Sequence, residues 1–216
     1  FARNSVNFRT TRNFGDRITA DAKVNYIRQD ARNRLNGSDG RGVARNFHFM
    51  PRNISNASLA DYKDEAGNEK VWFTPWAWQS NPYWVANEDL NEDHRDRVIG
   101  VGSVTYQINE WMSLSARTGI DYWNERRNQR TGTGAFANPP GNYGETWLQT
   151  REQNSDFLLN AGKALNENWE LSGNLGGNLM FRRYEWIESC VDRLSIPHFY
   201  DIDFGQQQAV VDNTVA

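Results

Sequence analysis

The sequence is short of most features that mark a soluble enzyme. It holds a single cysteine, Cys190, in 216 residues, so no internal disulfide can form. Its three histidines, His48, His94 and His198, are widely spaced and accompany no HxH, HExxH or CxxC pattern, so no metal site is expected. No Ser/His/Asp grouping is apparent, and the expectation is a protein that is not an enzyme and needs no cofactor. No run approaches 18 apolar residues, which excludes a transmembrane helix but not a β-barrel, whose strands are short and alternate. Neither charge sign dominates: 24 Lys+Arg stand against 27 Asp+Glu, a formal net charge of −3, without the basic stripe of a nucleic-acid binder. The first residue is Phe1 and no signal peptide is recognisable, so the chain reads as an internal fragment of a longer protein.

What is abundant is aromatic. There are 9 Trp, 8 Tyr and 11 Phe in a chain whose hydrophobic content is 38% and whose mean hydropathy is −0.81. Disordered chains are poor in aromatics, so disorder is not the explanation. Alternating strands with one face in water and the other in lipid give this combination.

The chain carries segments of period two. In Arg17–Gln29, Ile18, Ala20, Ala22, Val24 and Tyr26 share one face and Thr19, Asp21, Lys23 and Asn25 the other. Before it, Asn4–Asn13 sets Val6 and Phe8 against Asn7 and Arg9, with Phe14, Gly15 and Asp16 as a hairpin turn. A second pair follows. Arg97–Gln107 aligns Val98, Gly100, Gly102, Val104 and Tyr106, and Met112–Arg126 aligns Met112, Leu114, Ala116, Ile120 and Tyr122, around a turn at Asn109–Glu110. In the third, Arg151–Ala164 offers Phe157, Leu159 and Ala161, with Leu158 leaving its facing open. Trp169–Arg182 aligns Trp169, Leu171, Gly173, Leu175, Gly177, Leu179 and Phe181. A helix would repeat at three or four, and Thr, Asn and Gly interrupt every candidate. The expected strands are 4–13, 17–29, 97–107, 112–126, 151–164 and 169–183.

Connections within hairpins are two or three residues. Those between hairpins, 30–94, 127–150 and 184 to the end, are long and polar. Short turns at one end and long loops at the other are the layout of an outer-membrane barrel. The fold class expected is therefore all-β: an antiparallel transmembrane β-barrel segment of about six strands with long extracellular loops. Six strands cannot close a filled barrel, so the remaining strands must come from elsewhere. Aromatics near strand ends (Phe14, Tyr26, Trp111, Tyr122, Trp169, Phe181) suit a membrane girdle. Ile18, Val24, Val104, Leu114, Ile120, Leu171, Leu175 and Leu179 are expected to face lipid, and Asp21, Lys23, Arg117, Asp121 and Asn174 the lumen. A soluble antiparallel sheet with one buried face is the competing architecture.

Chemistry in the loops is sparse. Glu88, Asp89, Glu92 and Asp93 could supply paired carboxylates, but with Arg95 and Arg97 beside them they read as salt-bridged residues at the start of a strand. Asn36–Gly40 (NGSDG) lacks the later Glu of a calcium loop. The glycines of Thr131–Gly134 and Pro139–Gly144 are turn chemistry, since no strand-to-helix junction surrounds them. The candidate contacts for a substrate or partner are Trp72, Trp76, Trp78, Tyr83 and Trp84, which with Phe73 fall inside one long loop. Flat rings stack on sugars or fill partner pockets. They equally give a long loop its own small core, and packing is the reading favoured, with Trp76, Trp78 and Trp84 buried.

The run Asn81–Arg97, NPYWVANEDLNEDHRDR, with the VIGVGSVTYQINEWMSLSARTGIDYW that follows, resembles the SusC/RagA family of TonB-linked outer-membrane transporters of Bacteroidota. The opening FRTTRNFGDRITADAKVNYIRQDARNR is similar to an earlier barrel hairpin of that family, and Leu194–Ile202 (LSIPHFYDI) to a loop after a later strand. The resemblance implies a 22-stranded barrel with an N-terminal plug, energised by the TonB complex, in the cell outer membrane. It implies import of oligosaccharides or peptides beneath a SusD-like lipoprotein. The plug and remaining strands are absent from this sequence, so 1–216 is expected to be part of one barrel domain. A soluble or surface-attached glycan-binding β-domain is the alternative function.

Overall fold

The fold was obtained as a computed structural model, which describes residues 1–33, 42–71 and 79–215. Seven strands form one sheet in strictly sequential order: β1 (Ala2–Phe14), β2 (Ile18–Arg32), β3 (Asn91–Asn109), β4 (Met112–Thr131), β5 (Asn142–Asn166), β6 (Trp169–Val191) and β7 (Val210–Val215). Every neighbouring pair is antiparallel. The sheet does not close on itself: β1 and β7 are its two edges. Three short helices, α1 (Val43–His48), α2 (Asn56–Leu59) and α3 (Pro82–Asn87), interrupt the connection between β2 and β3. Among the described residues, no helix is long and apolar enough to cross a membrane.

The three tight turns follow from local chemistry. Gly15, at φ 62°, takes the left-handed conformation that the β1–β2 turn requires. The β3–β4 and β5–β6 turns each follow a register shift, between Gln107 and Asn109 and between Ala164 and Asn166. There the Asn109 and Asn166 side chains accept from the Trp111 and Asn168 backbone N–H groups, at 3.1 and 3.0 Å. The turns are not level. Along the cross-strand row Ile18–Tyr106–Leu114–Leu159–Leu175, β2 begins at the row itself, β4 two residues below it and β6 six residues below it. A progressive stagger is what strand tilt in a barrel wall produces.

Register places the expected faces as the alternation implied. Phe8, Val24, Gly100 and Ile120 share one row and Val6, Tyr26, Val98 and Tyr122 the next, all on one face. Ile18, Val24, Val104, Leu114, Leu171, Leu175 and Leu179 are exposed, with Leu175 at 66%. Among the described residues, neither a second sheet nor a helix covers this belt, so the soluble sandwich has no support here. Ile120 alone of that set is half-buried, because it leans over Gly100, where an added Cβ would lie 3.2 Å from its Cγ2. Asp21, Ser103, Arg117 and Asp156 follow one another in register on the opposite face, with Lys23, Asp121 and Asn174. Leu158 also lies on that polar face, opposite Ser115 and Gly176, which settles its orientation.

The wall departs from expectation in its height. β3 starts at Asn91 and β4 and β5 run to Thr131 and from Asn142, so the connection expected over 127–150 shrinks to 132–141. Likewise β2 reaches Arg32 and β6 reaches Val191. The seventh strand was not anticipated. β7 pairs only with Glu185–Cys190, at the upper end of β6.

Candidate lumenal wall and loop cap

The polar face is held by cross-strand ion pairs. Arg9 Nε donates to Asp21 Oδ2 at 3.0 Å, and Thr11 Oγ1 donates to the same oxygen at 2.5 Å. Arg117 Nε reaches Asp156 at 2.9 Å, and Arg97 clamps Asp121 with both guanidinium edges, Nε at 2.8 Å. Higher up, Glu125 accepts from Arg95 Nε and from Arg127 Nε, each at 2.6 Å, while its own side chain is only 2% exposed. The Arg95 guanidinium also lies 4.9 Å from the centre of the Trp123 ring. Arg95 and Arg97 thus pair across to β4, with Glu125 and Asp121, while the carboxylates around the start of β3 are salt-bridged as expected but to other partners. Those carboxylates have other uses: Glu88 binds Lys63 at 2.7 Å, Glu92 binds Arg32 at 3.2 Å, and Asp89 accepts from the Gly132 N–H at 2.9 Å.

Above the belt this face also carries Trp123, Tyr184 and Trp186, all half-buried, beside the buried Leu148. Trp123, Thr150 and Tyr184 lie in one row, and Glu125, Leu148 and Trp186 in the next. Sequence reading missed this aromatic shelf. Parity held the signal: Trp123 is odd-numbered on a strand whose belt residues Leu114, Ile120 and Tyr122 are even.

The loop cap is organised around the motif Asn81-Pro82-Tyr83-Trp84. Asn81 caps α3, accepting from the Tyr83 N–H at 2.9 Å, and Pro82 at the first helical position leaves no orphan donor. The same buried Asn81 donates through Nδ2 to Leu59 O and Lys70 O, and its N–H bonds Glu69 Oε1 at 2.7 Å. Glu69 Oε2 accepts from the Phe136 N–H at 2.7 Å and the Glu69 N–H donates to Gly134 O, so one residue ties the 42–90 loop to the 132–141 loop. Burial pushes the Glu69 carboxyl above the usual range despite these donors. Asp64 goes the other way, held down by N–H donation from Asn68 and Ala66 in the turn at Gly67. Lys63 is raised by its bond to Glu88.

Of the five loop aromatics singled out, Trp72, Trp76 and Trp78 lie outside the described residues. Trp84 is fully buried, edge-on to Tyr62 at 6.2 Å between centroids, and Tyr83 is half-buried beside it on α3. Trp84 fits because position 132 is glycine: an added Cβ would come 2.7 Å from Glu88 Cβ and 3.0 Å from Trp84 Cζ2. Asn36–Gly40 also lies outside the described residues. His48 is on α1, His94 bonds Asp30 at 2.6 Å and the His198 N–H bonds Thr133 Oγ1, so structure brings no two of the histidines together.

An open antiparallel sheet with a bare apolar belt on one face, ion pairs on the other and loops folded over one rim has the architecture of a β-barrel wall segment. No protein-family model matches the chain, and no curated protein matches it. Its fold matches solved structures of one transporter complex. The likeness to the structure of the RagAB peptide transporter has a TM-score of 0.75 at 15% identity, covering 99% of this chain and 24% of that one. The RagAB peptide importer in its closed-closed state gives the same values, and in its open-open state a TM-score of 0.66 at 17% identity. The chain thus spans about a quarter of the length of those chains, with 24% covered. Likeness at this identity is likeness of fold. It agrees with the SusC/RagA resemblance carried by Asn81–Arg97, whose first four residues are the hub of the cap.

Proposed function

We propose that this chain supplies part of the wall and outer loops of an outer-membrane active transporter that imports oligosaccharides or peptides. The uncovered apolar belt backed by an ion-paired face is the observation that carries this reading, since only lipid on one side and a water-filled lumen on the other satisfy both faces. The remaining strands and a plug come from the rest of a larger protein, which draws energy from the TonB complex and works beneath a SusD-like surface lipoprotein. The tight turns face the periplasm and the capped rim faces outward. The imported molecule passes the lumenal shelf of Trp123, Tyr184 and Trp186, whose rings can stack on a sugar or on a peptide side chain. Trp72, Trp76, Trp78, Tyr83 and Trp84 act first by packing the cap, as the buried Trp84 does.

Uptake of labelled oligosaccharide or peptide by intact cells tests the proposal. Uptake should stop when the gene is deleted, and should also stop when the proton-motive force is collapsed. Passive uptake that survives collapse would remove TonB energisation, and release of the protein by a salt wash without detergent would favour the glycan-binding domain instead. A Trp76→Ala, Trp78→Ala double variant separates packing from binding. Packing predicts lowered surface levels, whereas normal levels with lost ligand binding would make these residues a contact site.

A further inference from the structure

The outer face above the belt carries an arginine pair that the fold only half neutralises. Arg151 and Arg183 are direct cross-strand partners on β5 and β6, in the same row as Tyr122. Directly opposed residues place their Cβ atoms about 5 Å apart, and like charges so placed repel. Arg183 shares its charge with Glu185 at 2.5 Å. Arg151 is exposed and has no hydrogen bond or ion pair among the described residues. The pair sits two residues above Phe181, where the continuous run of exposed apolar residues on β6 ends and only Ile187 follows higher on that face. That is the level at which hydrocarbon gives way to headgroups, on the loop side of the wall.

Two rows higher on the same face, Arg126, Trp147 and Ile187 are in register across β4, β5 and β6. Arg126 is exposed and, among the described residues, has no polar partner either. A groove of about 560 Å³ runs here, lined by Arg126, Asn128, Glu145, Trp147, Ile187 and Ser189. Its one carboxylate, Glu145, accepts from the Tyr143 hydroxyl at 2.7 Å. The row between holds Asn124, Gln149 and Glu185. Elsewhere on this face above the belt the charges are matched: Arg28 and His94 bind Asp30, Arg32 binds Glu92, and the Tyr26 hydroxyl binds Asp96. The unmatched cations are thus confined to β4–β6, beside an outward-facing indole that no packing explains.

We infer that this patch binds the phosphorylated headgroup of an outer-leaflet glycolipid, with phosphate over the Arg151–Arg183 pair and the sugar against Trp147 and Ile187 in the groove. Arginine suits phosphate because its planar fork donates two parallel N–H bonds. An indole face and an aliphatic side chain suit the apolar side of a sugar ring. The lipid's acyl chains would continue downward over Phe181 and Leu179, which a free anion would leave bare. This inference rests on the proposed outer-membrane placement with the capped rim outward, and it survives even if the transported molecule is other than proposed.

Native mass spectrometry on the intact outer-membrane protein in detergent tests it, with a purified phosphorylated glycolipid and its phosphatase-treated form as probes. The phosphorylated form should bind at least fivefold more than the treated form. Arg151→Gln with Arg183→Gln should abolish that preference, Arg151→Lys with Arg183→Lys should keep most of it, and Trp147→Ala should weaken binding of both forms. Tens of millimolar inorganic phosphate should not displace the lipid. Equal binding of the two forms by the wild-type protein would overturn the inference, as would full displacement by inorganic phosphate or an unchanged preference in the glutamine variant. The wild-type comparison needs no variant to fold.

Discussion

The lower and upper halves of this wall use the same strands and bury opposite faces. Below the row Tyr26–Val98–Tyr122, apolar side chains point outward into an uncovered belt, while the inward face is charged and open. Above it, the buried residues Ile27, Ala31, Glu125, Thr146, Leu148 and Thr150 point inward beneath the loop cap, and the outward face carries charged residues. On β2 the change falls between neighbours, Tyr26 and Ile27, with no register shift against β1 or β3. Strand geometry stays constant; what covers each face is exchanged. A strand can thus serve lipid for half its length and a protein core for the other half, provided that its apolar parity switches where the membrane ends.

The largest test of that contrast is a charge on each face at one height. Leu175→Arg, in mid-belt, should cost roughly 2–4 kcal/mol in lipid. Asn174→Arg, its neighbour on the lumenal face, should fall within about 0.5 kcal/mol, the usual range for an exposed site. Urea unfolding of the reconstituted protein measures both, and equal costs would mean that the belt does not face lipid.

Glu125→Ala comes next, because it strips the shared partner from Arg95 and Arg127. Loss of one member of a fully buried pair costs about 3–5 kcal/mol. Both arginines keep contact with water, at 30% and 42% exposure, so roughly 1–3 kcal/mol is expected after screening. A matched Arg117→Ala change in the more open lower half should cost less in the same unfolding assay.

Gly132→Ala should cost about 1–3 kcal/mol through overpacking against Trp84 and Glu88. Gly102→Ala, with nothing within 4 Å of the added methyl, should not. Limited proteolysis of the 42–90 loop should rise in the first variant and stay level in the second.

The smallest effect is in pH. The raised Glu69 carboxyl favours the folded cap while protonated, so that contribution is present below its ordinary value of 4.5 and fades as pH climbs through the raised value. Asp64 opposes it: its lowered value stabilises the turn above 3.8 and that help is lost as pH falls. Amide exchange at Asn81 and Phe136, corrected for intrinsic rates, should slow as pH falls from neutral toward the Glu69 transition. Glu69→Gln should flatten that response.

The three hairpins and the facing of the belt were legible because lipid and water give a sharp two-residue alternation. The upper wall was not, and the reason is the parity switch. The alternation read from Ile18 through Tyr26 changes phase at Ile27, and beyond it cross-strand charges such as Arg32–Glu92 replace hydrophobic contrast. The sequence-based strands therefore stop at Gln29 and Arg126 and start at Arg97 and Arg151, each short of the ladder's end. β7 carries Val210, Val211 and Val215 without alternation, and its pairing is set by β6 alone. In the cap, NPYW stood out as a resemblance, but its role as a hub depends on Leu59, Glu69 and Lys70, and no local pattern links these to Asn81. Trp123, Tyr184 and Trp186 went unnoticed as a group because each lies on a different part of the wall and only register brings them together.

The stagger of the tight turns fixes one further property. Six residues over four strands is about one and a half residues of offset per strand, which at roughly 3.3 Å per residue and 4.8 Å between strands tilts the strands by about 45°. Ile18–Tyr26, the belt on β2, is then about 26 Å long along the strand but only roughly 20 Å tall along the bilayer normal. Such a belt matches a thin bilayer and leaves a thick one mismatched at fractions of a kcal/mol per ångström. The turn positions would therefore act as a thickness gauge: in a sterol-thickened membrane Tyr26 and Tyr122 would be drawn into hydrocarbon, and in a thin outer membrane they would stay at its edge.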